Sequence, residues 1–324
     1  MFENKKILIT GGTGSLGQSL TKKLLENNVD TIRILSRNEE KQNTMKDMFS
    51  DDRLRFFIGD IRDKERLSRA LEDIDIVFHA AALKHVPVIE YNPFEAIKTN
   101  VIGSQNVIDA CLEENVEKAI CVGTDKAVSP LNTYGATKLL MEKLFVSADN
   151  YLNKKRHKTK FIALRYGNVL GSSGSVVPLF IKQIKNKQKI SITDKNMTRF
   201  SITMNEALNF ILESAEQGKG SEIFIPKLKA YSIVDLKDAL YEIYGRTDEE
   251  ITGIRPGEKL HETLVNFDEG RNTFDIGNKY VIVKDEMKDK YSDNVVFEKQ
   301  YSSDNVEKLS KDELVKIVSD NIKI

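Results

Sequence analysis

The chain has 324 residues in which 49 lysines and arginines face 49 aspartates and glutamates, so no net charge draws it toward nucleic acid or an anionic membrane. That length is enough for a large core and predicts a nucleotide-binding domain with a smaller lobe. Four histidines and only two cysteines, Cys111 and Cys121, with no Cys-x-x-Cys spacing, argue against a zinc site and for a reducing cytoplasm.

Lys6–Thr10 is an apolar run long enough for a buried parallel strand, and it lies so near Met1 that no room is expected for a signal peptide. Gly11-Gly12-Thr13-Gly14-Ser15-Leu16-Gly17 follows, and Gln18–Glu26 reads as an amphipathic helix. Glycines between a strand and a helix let the backbone turn sharply and approach a pyrophosphate at the helix N-terminus. Gly11, Thr13, Gly14, Ser15, Leu16 and Gly17 are therefore candidate cofactor residues.

Thr31–Leu35 reads as the second strand and runs into Ser36-Arg37-Asn38, with Lys41 one turn into the next helix. NAD sites usually place a carboxylate at this strand end, whereas an arginine accommodates the 2′-phosphate of NADP. Ser36, Arg37, Asn38 and Lys41 bring hydroxyl, amide and positive charge, so NADP is expected over NAD.

Four more strands follow: Leu54–Gly59, with Asp60 and Ile61 at its end; Asp75–Ala80, leading into Ala81 and Ala82; Ala119–Gly123; and Phe161–Tyr166. Helical patterns at Lys64–Leu71, Phe94–Glu113 and Leu139–Leu152 separate them. This alternation predicts an α/β fold, a Rossmann-type doubly wound parallel sheet with ligands over the strand C-termini. Asp60, Ile61, Ala80, Ala81 and Ala82 all fall on that edge, where small side chains would let a nicotinamide ribose approach. The expected division is residues 1–166, with 200–225 returning, for the NADP-binding domain. Residues 167–199 and 226–324 form the substrate lobe and a C-terminal arm. No apolar run approaches the roughly 20 residues of a membrane helix.

Tyr134 and Lys138 lie four residues apart on one helical face. A tyrosine's ordinary pKa of about 10 is too high for a base, and a nearby ammonium favours the phenolate. Thr124-Asp125-Lys126 lies just upstream and adds an acid and an amine that a simple oxidoreductase does not need.

With its Gly11–Gly17 loop, His79-Ala80-Ala81 and the Tyr134/Lys138 pair, the chain resembles the extended short-chain dehydrogenase/reductases. Ala81–Pro87, Thr124–Ala127 and Arg255–Glu262 narrow the resemblance to soluble UDP-N-acetylglucosamine 4,6-dehydratases, especially the C5-inverting type. It runs to about Val265, and Tyr301-Ser302-Ser303 also fits. C5-retaining, membrane-bound relatives typically carry methionine where this chain has Tyr134, so inversion is the expected outcome.

The resemblance implies oxidation at C4, loss of water across C5–C6 and hydride return to C6. Tyr134 would take the C4 hydroxyl proton, and Lys138 would hold the nicotinamide ribose. Asp125 is the candidate acid and Lys126 the candidate base, with Thr124 beside them. The acid must be protonated and the amine neutral, and burial is expected to shift each in that direction. For the UDP-sugar, Asn168 would meet the diphosphate, Thr193 the uracil and Arg199 a phosphate. Arg255 and Glu258 would bind diphosphate and ribose, since arginine's planar fork suits phosphate. Lys84 is a further candidate, and Gly171–Val177, including Val177, reads as a loop closing over the sugar. Lys311–Ile322 would be a short helix on an arm over the lobe or a neighbouring subunit. Helices Phe94–Glu113 and Asn132–Leu152 would supply a four-helix contact in a homo-oligomer, a dimer or a hexamer. The alternatives are a UDP-hexose 4-epimerase using the same Tyr134 and Lys138, a C5-retaining dehydratase and a catalytically silent NADP-binding protein.

Overall fold

The computed structural model describes residues 1–153, 156–172 and 174–322. Six parallel strands form the centre of the main sheet: β1 Lys6–Thr10, β2 Thr31–Ser36, β3 Leu54–Ile58, β4 Ile76–His79, β5 Lys118–Val122 and β6 Lys160–Leu164. Their order is β3-β2-β1-β4-β5-β6, so the direction of winding reverses between β1 and β4. The loops after those two strands flank the crevice where such sheets bind dinucleotides.

Residues alternate across the sheet as strand geometry requires. Ile7 and Ile9 enter the core on one face with Leu20 and Leu24 of helix α1 (Ser15–Leu25). Leu8 enters the core on the other face, with Val107, Met141 and Phe145.

Strand Ile223–Pro226 adds to the sheet parallel to β6, and its preceding helix, Met204–Gln217, packs against α1. The sheet then continues through Lys279–Ile282, Thr273–Asp275 and Val295–Val296, all antiparallel. Assigning all of 226–324 to the lobe and arm therefore needs correction: 273–296 extends the nucleotide-binding sheet.

The lobe has its own core, in which Phe180, Ile181, Tyr231 and Leu236 meet Leu314 and Val318 of helix Lys311–Asn321. That helix opens with a capping box between Ser310 and Glu313 and packs on helix Ile233–Tyr244. Tyr301–Ser302 pairs with Thr263–Val265, so the C-terminal stretch covers the lobe of its own chain.

The pattern read as one helix over Phe94–Glu113 is three pieces: a short helix Pro93–Ala96, a π-helix Ile97–Ile102 and an α-helix Gly103–Glu113. The helix that carries Tyr134 and Lys138 starts earlier than its apolar pattern, at Thr133, because Asn132 caps it by accepting from the Gly135 N–H at 2.8 Å. Among the described residues no helix is long and apolar enough to cross a membrane.

Candidate active site

One cavity of about 1500 Å³ runs along the C-terminal edge of the sheet and into the lobe. Its cofactor end is built by close backbone approach. Gly11 has φ +68°, and a Cβ there would lie 2.8 Å from Ala81 Cα, so the loops after β1 and β4 touch. A Cβ on Gly17 would meet the Gly12 backbone at 2.5 Å. The N-terminus of α1 carries neither a side-chain cap nor an acidic residue in its first turn, which suits a diphosphate at its free N–H groups.

The loop after β4 is fixed from below. His79 is fully buried, with Nδ1 2.8 Å from Thr10 Oγ1 and Nε2 2.9 Å from Ser104 Oγ. Burial, with the Lys138 charge adding, pulls this imidazole down to about 3, so it is neutral. Asn100, in the π-helix, accepts from the Leu83 N–H at 2.8 Å and donates to the Leu83 carbonyl at 3.0 Å.

At the end of β2, Ser36 Oγ accepts from Gln42 Nε2 at 3.0 Å, and Asn38 caps helix α2 (Glu39–Phe49) through the Lys41 N–H. Asp60 is engaged by Arg62 at 2.6 Å, whereas Arg37 is 3.8 Å from Asp60 with its side chain 56% exposed. Arg37, Lys41, Asp60 and Ile61 all line the cavity, as do Thr13, Gly14, Ser15, Leu16 and Ala80–Ala82. The glycine cradle, the uncapped helix end and the basic strand end together fit a nicotinamide dinucleotide.

Thr124, Asp125, Lys126, Tyr134 and Lys138 come together at the middle of the cavity. Asp125 is fully buried: its Oδ1 accepts from Thr124 Oγ1 at 2.9 Å and from Lys126 Nζ at 3.0 Å, while Oδ2 has no protein partner. It sits behind the wall that Thr124, Lys126, Tyr134 and Lys138 form. Lys126 Nζ also donates to Asn168 Oδ1 at 3.0 Å and lies 3.5 Å from Glu262 Oε1.

Here an expectation needs correction. Burial opposes the Lys126 charge, but the Asp125 and Glu262 carboxylates outweigh it and hold the ammonium well above the ordinary lysine value. Without ligand, this amine is protonated.

Burial, with Asp125 adding, pushes the Tyr134 phenol up, while Lys126 and Thr124 pull it the other way. Lys138 Nζ donates to the Val122 carbonyl at 2.6 Å. Burial draws Lys138 down to about 8, against the opposing pull of Cys121 and Glu142. The same burial pushes the Cys111 and Cys121 thiols up, leaving two free, unreactive cysteines.

On the lobe side, Arg199 is buried, 3.4 Å from Glu258 and 3.7 Å from Glu262. Thr193, Arg255, Glu258, Asn168 and Lys84 all line the cavity. Asn132 Nδ2 donates to the Gly257 carbonyl at 2.8 Å, tying the Arg255–Glu262 stretch to the cap of the helix that carries Tyr134 and Lys138. Val177 is a correction: helix Val176–Lys185 begins before it, and its side chain is buried in the lobe core, while Val176 and Leu179 reach the cavity. Ser173, within the loop read as closing over the sugar, lies outside the described residues.

Sequence reasoning missed Asn100, Asn132 and Glu262. Glu262 had a signal: it is the last charged residue before the apolar strand Thr263–Val265 and so had to be buried or at an edge.

A family described as polysaccharide biosynthesis protein matches residues 7–284. A UDP-N-acetylglucosamine 4,6-dehydratase (inverting) of Campylobacter jejuni is 50% identical over 319 residues, 94% of each chain. A UDP-glucose 4-epimerase of Rickettsia felis is 39% identical over 330 residues, covering 98% of this chain and 96% of the relative. The X-ray structure of Pen from Bacillus thuringiensis is 39% identical with a TM-score of 0.93, covering 100% of this chain and 99% of that one. DesIV, a dTDP-glucose 4,6-dehydratase from Streptomyces venezuelae solved with NAD and TYD bound, shares the fold at 22% identity and TM-score 0.71, covering 79% of this chain and 86% of that one.

Proposed function

Since the chain belongs to the polysaccharide biosynthesis family, we propose that it is a UDP-N-acetylglucosamine 4,6-dehydratase that inverts C5 and uses NADP. The observation that carries this reading is the Asp125–Lys126 pair beside Tyr134: an acid and an amine share one proton, 3.0 Å apart, with Lys126 on the cavity wall and Asp125 directly behind it. The Campylobacter relative's name supports the substrate and the inversion. The exposed Arg37 and Lys41 at the end of β2 support NADP.

In this reading the Gly11–Gly17 loop and the start of α1 hold the cofactor diphosphate, and Lys138 meets the nicotinamide ribose. A nicotinamide bound there would supply a hydride acceptor for C4 and a donor for C6. Tyr134 accepts the C4 hydroxyl proton. The new C4 ketone makes the C5 proton acidic, because the resulting carbanion delocalises into it.

Passing one proton from Lys126 Nζ to Asp125 turns the resting ion pair into a neutral amine and a carboxylic acid. The amine then removes the C5 proton, and Asp125 protonates the C6 hydroxyl as it leaves as water. Both steps return the pair to ammonium and carboxylate. Tyr134 then gives the proton it took from C4 to C5; delivery to the face opposite Lys126 is what inverts that centre. Asn168, Arg199, Arg255 and Glu258 hold the UDP moiety, with Thr193 at the uracil and Lys84 near the sugar.

A 4-epimerase would use Tyr134 and Lys138 but would leave the Asp125–Lys126 pair without a task. Asp125→Asn and Lys126→Ala should each slow water loss by about 10²–10⁴-fold while cofactor binding survives. Near-normal rates in either variant would contradict the assignment. Exposed Phe94, Ile97, Ile102 and Leu140, on the two segments expected to form a four-helix contact, support a homo-oligomer. The unpaired buried cysteines support a cytoplasmic location.

A further inference from the structure

Glu262 is 3% exposed, on a backbone locked from both sides. Its N–H donates to Ser303 Oγ at 2.9 Å, and its carbonyl accepts from the Ser303 N–H at 2.8 Å and from Ser302 Oγ at 3.2 Å. Ser303 Oγ is in turn 2.7 Å from Thr198 Oγ1. The C-terminal stretch thus clamps this one residue in place.

The clamped carboxylate reaches the cavity with Oε1 3.5 Å from Lys126 Nζ and 3.7 Å from Arg199 Nε. Its Oε2 is buried with no hydrogen-bond partner in the protein. A buried carboxylate oxygen without a donor is costly unless its charge works on a neighbour. Asp125 Oδ2 is orphaned in the same way, so two partly satisfied carboxylates converge on one ammonium.

We infer that Glu262 is a positioning residue for the base. Its charge holds the Lys126 ammonium between Asp125 and Asn168 and sets how readily that amine gives up its proton. The other charged or titratable groups acting with Lys126 are Asp125, Arg199, Lys259, Tyr134 and Tyr231. Asp125 and Glu262 are the two that favour the ammonium, and Asp125 is already assigned as the acid. A substrate phosphate drawing Arg199 away would leave Glu262 facing Lys126 more fully.

The role of Lys126 as base rests on the dehydratase reading, so the test reads the amine directly. Wild type and Glu262→Gln are labelled at pH 9 with trace isotopic acetic anhydride, and the acetylation rate at Lys126 is followed by peptide mass spectrometry. Removing one of two anions should lower the amine's pKa by about one unit, which raises the labelling rate at Lys126 about tenfold. Other lysines, measured in the same digest, report whether the variant is folded and should not change. An unchanged rate at Lys126, with the other lysines as in wild type, would overturn the proposal. If Glu262→Gln instead unfolds the chain, Ser303→Ala, which removes the hydrogen bond to the Glu262 N–H and leaves the charge, should raise Lys126 labelling at least threefold; no rise would overturn it too. Turnover under the same conditions separates the two readings. Faster Lys126 labelling in a protein that never dehydrates the sugar would sink the dehydratase and leave the Glu262–Lys126 relationship standing. In an active enzyme, the alkaline limb of kcat, where the Asp125–Lys126 pair loses the proton it shares, should move to lower pH in Glu262→Gln with KM little changed, whereas a purely structural role would lower kcat equally at every pH.

Discussion

Gly135 lies against the carbonyl oxygen of Lys126: a Cβ added to Gly135 would sit 2.2 Å from it. That contact sets the spacing between the helix bearing Tyr134 and Lys138 and the turn bearing Asp125 and Lys126. No backbone carbonyl can give way cheaply, so Gly135→Ala must push the two apart. The expected cost is about 1–3 kcal/mol of stability from overpacking and about 100-fold in kcat from misplaced groups. Thermal melts and steady-state kinetics check both, and an unchanged kcat would show that the spacing does not matter.

Arg165 ties the same helix to the short helix Phe267–Gly270. Its guanidinium is fully buried, 2.6 Å from Glu142, one turn beyond Lys138, and 2.9 Å from Glu269. Arg165→Met strands two carboxylates, one of them wholly buried, and should cost about 3–5 kcal/mol. Urea unfolding of the variant measures this, and a loss under 1 kcal/mol would mean that the triad is not stabilising.

His79 gives the fold an acid limit. The folded state holds this imidazole down to about 3, against 6.5 for a free one, chiefly through burial. Below pH 6.5 the unfolded chain binds a proton that the folded chain refuses, so stability is lost as pH falls toward 3. The contribution is about 1.4 kcal/mol per pH unit. His79→Gln cannot titrate, so its deficit relative to wild type should shrink by that amount for each unit below pH 6.5. A constant deficit from pH 7 to 5 would argue that His79 charges in the folded state.

Much of this was legible in the sequence, because β1–β6 are apolar runs that fill both faces of a sheet, and their loops carry the glycines and small residues. The strands at 273–275, 279–282 and 295–296 are two to four residues long, too short for a period-two pattern to register. Val177 looked like loop because the glycine and serine residues before it mask a helix that starts at Val176. The charge on Lys126 was misjudged from burial alone, since two carboxylates reverse it: Asp125, which the turn folds back onto Nζ, and Glu262, far away along the chain and near only in the fold.

Arg37 distinguishes the cofactors. It lines the cavity, and among the described residues its only ion-pair partner is Asp60, 3.8 Å away and already held by Arg62. Arg37→Ala should weaken NADP binding about tenfold and leave NAD binding within about twofold, as loss of a charge-assisted contact to one phosphate requires. Fluorescence titration with both dinucleotides measures the ratio, and an equal loss for both would remove Arg37 from 2′-phosphate recognition.

The central claim is that Asp125, Lys126 and Tyr134 remove water across C5–C6 and return a proton to the opposite face of C5. Proton NMR of the purified protein with UDP-N-acetylglucosamine and trace NADP in D2O tests it most directly. The account predicts a new C6 methyl signal, deuterium at C5 and ring couplings of the inverted sugar. A product with an intact C6 hydroxyl and only C4 epimerised would contradict it.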